Sequence, residues 1–173
     1  MKNHTMISFV FIGVFFPQHL LADCVTELTE SNPRSRYTDN LDGTVTDDKT
    51  GLVWMRCSTG QTWNEAEQVC QGEAAAATWL EAHKHADGHI FAGNDDWHLP
   101  NFKELISIME IACFRPAINL EIFPNTPEQE FSAYWTSTPG DIDSVYAVTF
   151  DSVGPQYHRS KNSKLFSRLV RKQ

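Results

Sequence analysis

The stretch that decides the fold is Asp95-Asp96-Trp97-His98-Leu99-Pro100-Asn101-Phe102-Lys103-Glu104-Leu105, where an extended segment meets a helix. Pro100 has no backbone N–H and favours an extended conformation at the residue before it, so a strand must end by Leu99. Trp97 and Leu99 are two residues apart, which places both side chains on the same face of that strand. The stretch therefore predicts a short strand that contributes two apolar side chains to a core.

A helix is predicted directly after this strand. Asn101 and Glu104 have the spacing of a capping box, in which each side chain accepts a hydrogen bond from the backbone N–H of the other residue. Apolar residues then recur at helical spacing, which gives the helix one apolar stripe. The stripe consists of Leu105, Ile108, Met109 and Ala112.

Six further motifs follow one another along the chain. They are Arg36–Asp47, Thr50–Trp54, Pro116–Asn119, Phe123–Thr126, Tyr134–Ser137 and Arg168–Arg171. With Trp97–Leu105, in which Trp97, Leu99, Pro100, Asn101 and Glu104 carry the pattern, they resemble the Lcl C-terminal domain family of bacteria. The resemblance covers almost all of the chain after its first residues. The chain departs from the family at His98, where the family usually has arginine.

The resemblance implies a fold and a function. The expected fold is α+β, a compact C-type-lectin-like domain with small twisted antiparallel sheets, two or three helices and two disulfides. The family is named after a collagen-like adhesin that binds sulfated polysaccharides, so the resemblance implies an exported, non-enzymatic module that binds a glycan or an envelope partner. This chain has no collagen-like repeats, so avidity through a trimeric stalk is not expected.

The chain begins with features of a secretory signal peptide. Lys2 precedes the apolar run Met6–Phe16, and Leu20 and Ala22 suit the positions before a cleavage site. We expect residues 1–22 to be removed and residues 23–173 to form one domain, located in the periplasm, at the cell surface or outside the cell. The apolar run is too short to span a membrane, and no later segment is long enough to do so.

All four cysteines follow the predicted cleavage site. In an oxidising compartment an even number favours disulfides, and four cysteines allow three connectivities. We favour Cys57–Cys70, which closes a local loop, together with Cys24–Cys113. A metal site is the rival interpretation, but the chain contains no Cys-x-x-Cys pair.

Charged residues are unevenly distributed along the chain. The formal net charge is −8, and it becomes −9 without Lys2, which argues against nucleic-acid binding. Residues 23–157 carry 7 basic and 22 acidic side chains, whereas residues 158–173 carry basic side chains alone. The basic residues are Arg159, Lys161, Lys164, Arg168, Arg171 and Lys172. Such a segment either binds an anionic polymer or pairs with the acidic body.

Candidate ligand-binding residues combine this charge with aromatic rings that could stack on sugars. They are Arg159, Lys161, Lys164, Trp135 and Tyr157. Other aromatic side chains could take the same role but are more typical of a core. These are Trp63, Trp79, Tyr134 and Tyr146.

The first third of the chain predicts a β-meander. Its strands are Thr44–Thr46 and Leu52–Trp54, with Gly43 and Gly51 in the turns. A calcium loop is the alternative, because acidic and amide residues crowd there, but the spacing does not fit an EF-hand. The residues concerned are Asp39, Asn40, Asp42, Asp47 and Asp48. Otherwise no cofactor is expected.

Two more helices are predicted before the central stretch. Thr62–Glu65 resembles a capping box that opens a helix through Cys70, and an alanine-rich helix is expected over about residues 74–85. His83 and His85 would point about 200° apart on that helix, so they and His89 do not converge on a metal. A long irregular connection, from Pro116 to Pro127, follows the central helix. Strands are then expected at 133–137, 146–150 and 165–170.

Enzymatic signatures are missing from the sequence. There is no nucleophile elbow, zinc-protease motif, phosphate-binding glycine loop or dinucleotide fingerprint. Two alternatives to a binding module remain open. One is a structural or assembly subunit of an envelope complex, and the other is an envelope enzyme related to the formylglycine-generating enzymes, whose distantly similar fold uses reactive cysteines.

Overall fold

The structure is a computed structural model that describes residues 22–127, 132–151 and 157–173. Within these ranges it contains small antiparallel sheets and two α-helices. The helices are α1 (Trp79–Asp87) and α2 (Phe102–Ile106). The strands are β1 (Asp23–Cys24), β2 (Tyr37–Asp39), β3 (Thr44–Asp47), β4 (Leu52–Met55), β5 (Thr62–Asn64), β6 (Val69–Gln71), β7 (Cys113–Phe114), β8 (Ala133–Pro139), β9 (Ser144–Thr149), β10 (Tyr157–Ser160) and β11 (Val170–Lys172). The predicted α+β class is confirmed at this level, and the C-type-lectin-like relationship stays a prediction.

The predicted meander is present as strands β2, β3 and β4 of a four-stranded sheet with the order β11-β4-β3-β2. Gly43 and Gly51 have φ angles of +85° and +69°, which favour glycine in the two turns. A Cβ atom on Gly43 would lie 2.9 Å from Cγ of Trp63. The meander thus depends on glycine for both conformation and space.

A three-stranded sheet, β10-β9-β8, lies between the two halves of the core. Val148 packs with α2 residues such as Leu105, while Val145 and Ala147 pack with Ala82 of α1. Successive side chains of a strand point to opposite faces, so strand β9 contributes side chains to both halves of the core. The sheet therefore separates α1 from α2.

The central stretch has its predicted capping box but a shorter helix. Asn101 N donates to Glu104 Oε2 at 2.7 Å, and Glu104 N donates to Asn101 Oδ1 at 3.0 Å. The predicted strand is reduced to one bridge, between His98 and Val170. The helix ends at Ile106, because Glu110 and the residue before it pair with residues 117–118. The predicted stripe is nevertheless buried.

Two other predicted helices are corrected. Residues 62–71 form the hairpin β5–β6, with Trp63 opposite Cys70, rather than a helix. Gln68 has a φ of +55°, which breaks a right-handed helix. The second helix starts at Trp79 instead of Ala74, because Thr78 and Glu81 form a capping box that the sequence reading missed.

The closing strand also differs from its prediction. Strand β11 covers Val170–Lys172, whereas Leu165 and Phe166 make isolated bridges to Ala77 and Tyr134. Between them, Arg168 turns into the core and is fully buried. Strands β1, β7 and β10 were not predicted.

The structure contains both predicted disulfides, Cys24–Cys113 and Cys57–Cys70. No cysteine is free. The oxidised protein therefore has no thiol that could act as a nucleophile. Two disulfides are consistent with an exported protein. The predicted signal peptide lies outside the described residues, except for Ala22.

Neither helix in the described part of the chain has the length and apolar character that a membrane crossing requires.

Candidate functional site

The candidate site is built around the first turn of α1, which is held against the segment that follows β10. Ala77 and Leu165 exchange two backbone hydrogen bonds of 2.9 and 3.0 Å, and Trp79 N donates to Lys161 O at 3.1 Å. The indole Nε1 of Trp79 donates to Thr136 O of β8 at 2.9 Å. These bonds fix the start of the helix beside the basic segment.

Lys161 links this helix to the β8–β9 turn. Its Nζ lies 5.4 Å from the centroid of the Trp79 ring, within the range of a cation–π contact. The same Nζ donates to Ile142 O at 3.0 Å. Ile142 belongs to the lining of an open depression of about 490 Å³. The depression is also lined by Asp141, Asp143, Ser144, His158 and Ser160.

Two exposed lysines, Lys164 and, in the last turn of α1, Lys84, lie within electrostatic range of Glu81 in the first turn of that helix. Lys164 and Lys84 both act on Glu81, whose pKa is held below its usual value first by its hydrogen bonds with Thr78 and then by the two lysines. Glu81 carries one negative charge against the two positive charges of Lys84 and Lys164. Asp141 and Asp143 line the depression beside Ile142, to which Lys161 donates, so the basic side chains of this region also have acidic neighbours.

The neighbouring histidine adds no cation near neutral pH. His83 packs edge-on against Trp79, with 4.3 Å between the ring centroids. Burial lowers the pKa of His83, although Asp87 opposes the shift. The cation that the structure places beside Trp79 is therefore Lys161.

Arg159 lies on the same side of the sheet as α1. It pairs with Val145, whose side chain packs in the half of the core that contains α1, and paired residues of antiparallel strands share a face. We define the cationic surface by its members. They are Trp79, Lys84, Arg159, Lys161 and Lys164.

The aromatic residues that were predicted to bind a ligand are not members of the cationic surface. Tyr157 pairs with Ala147 on β9, and its side chain is outside the described part of the structure. Trp135 is fully buried and its Nε1 donates to Ala77 O at 2.7 Å, so it is a core residue rather than a stacking surface. Tyr134 is also fully buried.

Two of the basic C-terminal residues form contacts within the domain, away from the cationic surface. Arg168 is fully buried and donates to Thr126 Oγ1 at 2.7 Å and to the backbone oxygen of Arg56. Arg171 forms an ion pair of 2.6 Å with Asp96. Arg168 and Arg171 were not among the candidate ligand-binding residues, and their contacts show that part of the basic segment pairs within the domain.

The acidic residues of the meander each form contacts with a different partner and do not converge on one point. Asp47 pairs with Arg36, and Asp39 lies 3.1 Å from Arg56. Asp42 Oδ1 accepts a bond of 2.9 Å from the backbone N–H of Thr44. Among the described residues, no three His, Cys, Asp or Glu side chains form a group that could hold a metal ion. The calcium interpretation gains no support from this arrangement.

Two members of the cationic surface, Trp79 and Lys84, are not among the ligand-binding residues that the sequence predicts. The sequence signal for this part of the surface is the spacing of Thr78 and Glu81, which predicts a helix that starts at Trp79 and has Lys84 in its last turn.

A sequence model of the Lcl C-terminal domain family matches residues 43–171. The chain belongs to the Lcl C-terminal domain family. The match runs from the first meander turn to the last strand, and it includes every member of the cationic surface. The comparison with curated proteins finds no match to this Lcl C-terminal domain.

Proposed function

We propose that this Lcl C-terminal domain is an exported, non-enzymatic binding module of adhesin type, and that its cationic surface binds sulfated or otherwise anionic polysaccharide. The observation that carries the proposal is the position of Lys161, whose ammonium lies over the Trp79 ring beside exposed lysines. Sulfate and carboxylate groups accept charge-assisted hydrogen bonds from such side chains.

The charge of the rest of the chain favours a localised site. The body is acidic, so an anionic polymer is repelled from most of the surface and attracted where basic residues gather. Lys161 is also partly ordered before any ligand binds, because its Nζ already donates to Ile142 O. A side chain that is held in place loses less conformational entropy on binding.

The proposal is tested by elution from a heparin column over a salt gradient. The double variant Lys161→Glu/Lys164→Glu should elute at clearly lower salt than the native protein, because exposed charges act through screened attraction. The control is Lys49→Glu/Lys172→Glu, which changes net charge equally at residues outside the cationic surface. Equal loss of retention in both variants, or no retention of the native protein, would contradict the proposal. Each run is repeated with calcium to test the alternative site in the meander.

A further inference from the structure

The chain that leads into the domain forms an arm of residues 22–30. Residues 23–30 are all exposed. The arm ends where Glu110 accepts hydrogen bonds from Ser31 N at 3.0 Å and from Asn32 N at 2.7 Å. Since Glu110 and Asn32 are buried, the chain is firmly held from residue 31 onward. The arm is attached at one end by this anchor.

Among the contacts of the described residues, the other end of the arm is held mainly by a covalent bond. Cys24 pairs with Cys113 in the two-residue ladder of β1 and β7, and the two residues form a disulfide. One further backbone bond, from Val25 N to Ala112 O at 2.8 Å, continues the contact. A ladder this short is only marginally stable without support. The Cys24–Cys113 disulfide is therefore the main attachment of the arm to the domain.

The two disulfides differ in exposure. Cys24 is exposed, whereas its partner Cys113 is only 6% exposed. Cys57 and Cys70 are each 3% exposed. Thiol–disulfide exchange requires access to the sulfur that is attacked. Cys24 is thus the member of either disulfide that an external thiol can reach in the folded protein.

We propose that Cys24 is a thiol–disulfide exchange site that takes a low-molecular-weight thiol and thereby releases the N-terminal arm. The thiolate of the small thiol attacks Sγ of Cys24 and forms a new S–S bond with it. The Cys24–Cys113 bond breaks, and Cys113 leaves as a thiolate that keeps the electron pair and takes a proton from water. One disulfide replaces another, so no further oxidant or reductant is required.

Release of the arm would leave the domain itself intact. The anchor at Ser31 and Asn32 does not involve either cysteine, and the second disulfide remains closed. The exchange site lies outside the cationic surface. Its behaviour is therefore independent of whether the domain binds a polysaccharide.

The first test treats the oxidised, folded protein with reduced glutathione, blocks free thiols with iodoacetamide and maps the peptides by mass spectrometry. The expected product carries glutathione on Cys24 and the alkyl group on Cys113, and it forms at least about tenfold faster than any product at Cys57–Cys70. Glutathione on Cys113, or equal rates at both disulfides, would overturn the proposal.

The second test follows deuterium exchange of the native protein before and after the reaction. Loss of protection should be confined to residues 22–30 and to β7, which pairs with them, while β3 and β4 keep theirs. Protection that is unchanged in the arm, or that is lost throughout the sheet, would show that exchange does not release the arm. A Cys24→Ser/Cys113→Ser variant serves as the control, because glutathione should then leave Cys57–Cys70 as slow to react as in the native protein.

Discussion

Replacement of Glu110 by glutamine should weaken the fold strongly, although the two side chains have nearly the same size. Glu110 is 1% exposed, and its carboxylate accepts four hydrogen bonds. Oε1 accepts from Ser31 N at 3.0 Å, from Ser31 Oγ at 3.1 Å and from Ala112 N at 2.8 Å. Oε2 accepts from Asn32 N at 2.7 Å. Glu110 thus joins the start of the domain to the segment after α2.

The magnitude follows from the number of donors left without an acceptor. In its better orientation, the Glu110→Gln amide keeps its oxygen toward Ser31 and Ala112 and turns its NH2 group toward Asn32 N. The backbone N–H of Asn32 and the new NH2 group are then two buried donors without an acceptor, and each costs about 1–3 kcal/mol. The hydrogen bonds that remain are also weaker, because their acceptor no longer carries a negative charge. We expect the free energy of unfolding to fall by about 3–5 kcal/mol.

The assay is urea unfolding followed by circular dichroism at several pH values. Burial alone would raise the pKa of Glu110, but hydrogen bonds from Ser31, Ala112 and Asn32 outweigh it and hold the pKa below its ordinary value. A carboxyl with a lowered pKa stabilises the folded state above its unfolded pKa, and this stabilisation is lost as pH falls through the folded pKa. The difference between native protein and variant should therefore be largest near neutral pH and shrink in acid.

The matched control is Glu73→Gln, at an exposed carboxylate without a hydrogen-bonding role in the fold. Its effect should stay within about 0.5 kcal/mol. The reasoning would be refuted if Glu110→Gln lowered the free energy of unfolding by less than about 1 kcal/mol. It would also be refuted if the difference stayed constant from neutral pH to about pH 3.

Three further changes test other parts of the structure. Gly43→Ala places a Cβ atom 2.9 Å from Cγ of Trp63 at a φ of +85°, and urea unfolding should show a loss of about 2–4 kcal/mol; a neutral effect would contradict the packing. Thr78→Ala removes the cap of α1 and should lower the free energy of unfolding by about 1 kcal/mol, whereas no loss would mean that the cap is not formed. Trp135→Phe loses the hydrogen bond to Ala77 O and should lower stability by about 1–3 kcal/mol without changing elution from heparin; weaker retention at unchanged stability would return the residue to the binding site.

Local signals predicted the parts of the fold that short segments determine. The capping box of Asn101 and Glu104 is read from two residues, and the two meander turns are read from Gly43 and Gly51. Each of these signals acts within a few residues, so no distant contact overrides it. Both disulfides were also chosen correctly, although sequence alone leaves three connectivities open.

Distant contacts explain the errors. Residues 62–70 carry a pattern that resembles a capped helix, but the disulfide of Cys70 and its pairing with Trp63 hold them as a hairpin. The central helix is shorter than predicted because Met109 pairs with Ile118, and no local sequence pattern predicts this pairing. Tertiary contacts of this kind outweigh helix propensity, which amounts to less than about 1 kcal/mol per residue.

The candidate site was only partly predictable for the same reason. Arg168 and Lys164 are close in sequence and alike in charge, yet one is fully buried and the other is exposed. Composition identifies a basic segment, whereas the choice among its members depends on which side chains turn into the core. Trp135 was misassigned because an aromatic residue in a strand has the same signature on either face.

The most direct test of the proposed function is a lysine footprint, in which the protein is acetylated with and without a heparin oligosaccharide. Acetylation at each lysine is then quantified by mass spectrometry. Bound polysaccharide should protect Lys84, Lys161 and Lys164, because their ammonium groups contact its anionic groups. Lys49 and Lys103, which are exposed outside the cationic surface, should react as before. Protection of Lys49 or Lys103 instead, or no protection at any lysine, would contradict the assignment of the cationic surface as the binding site.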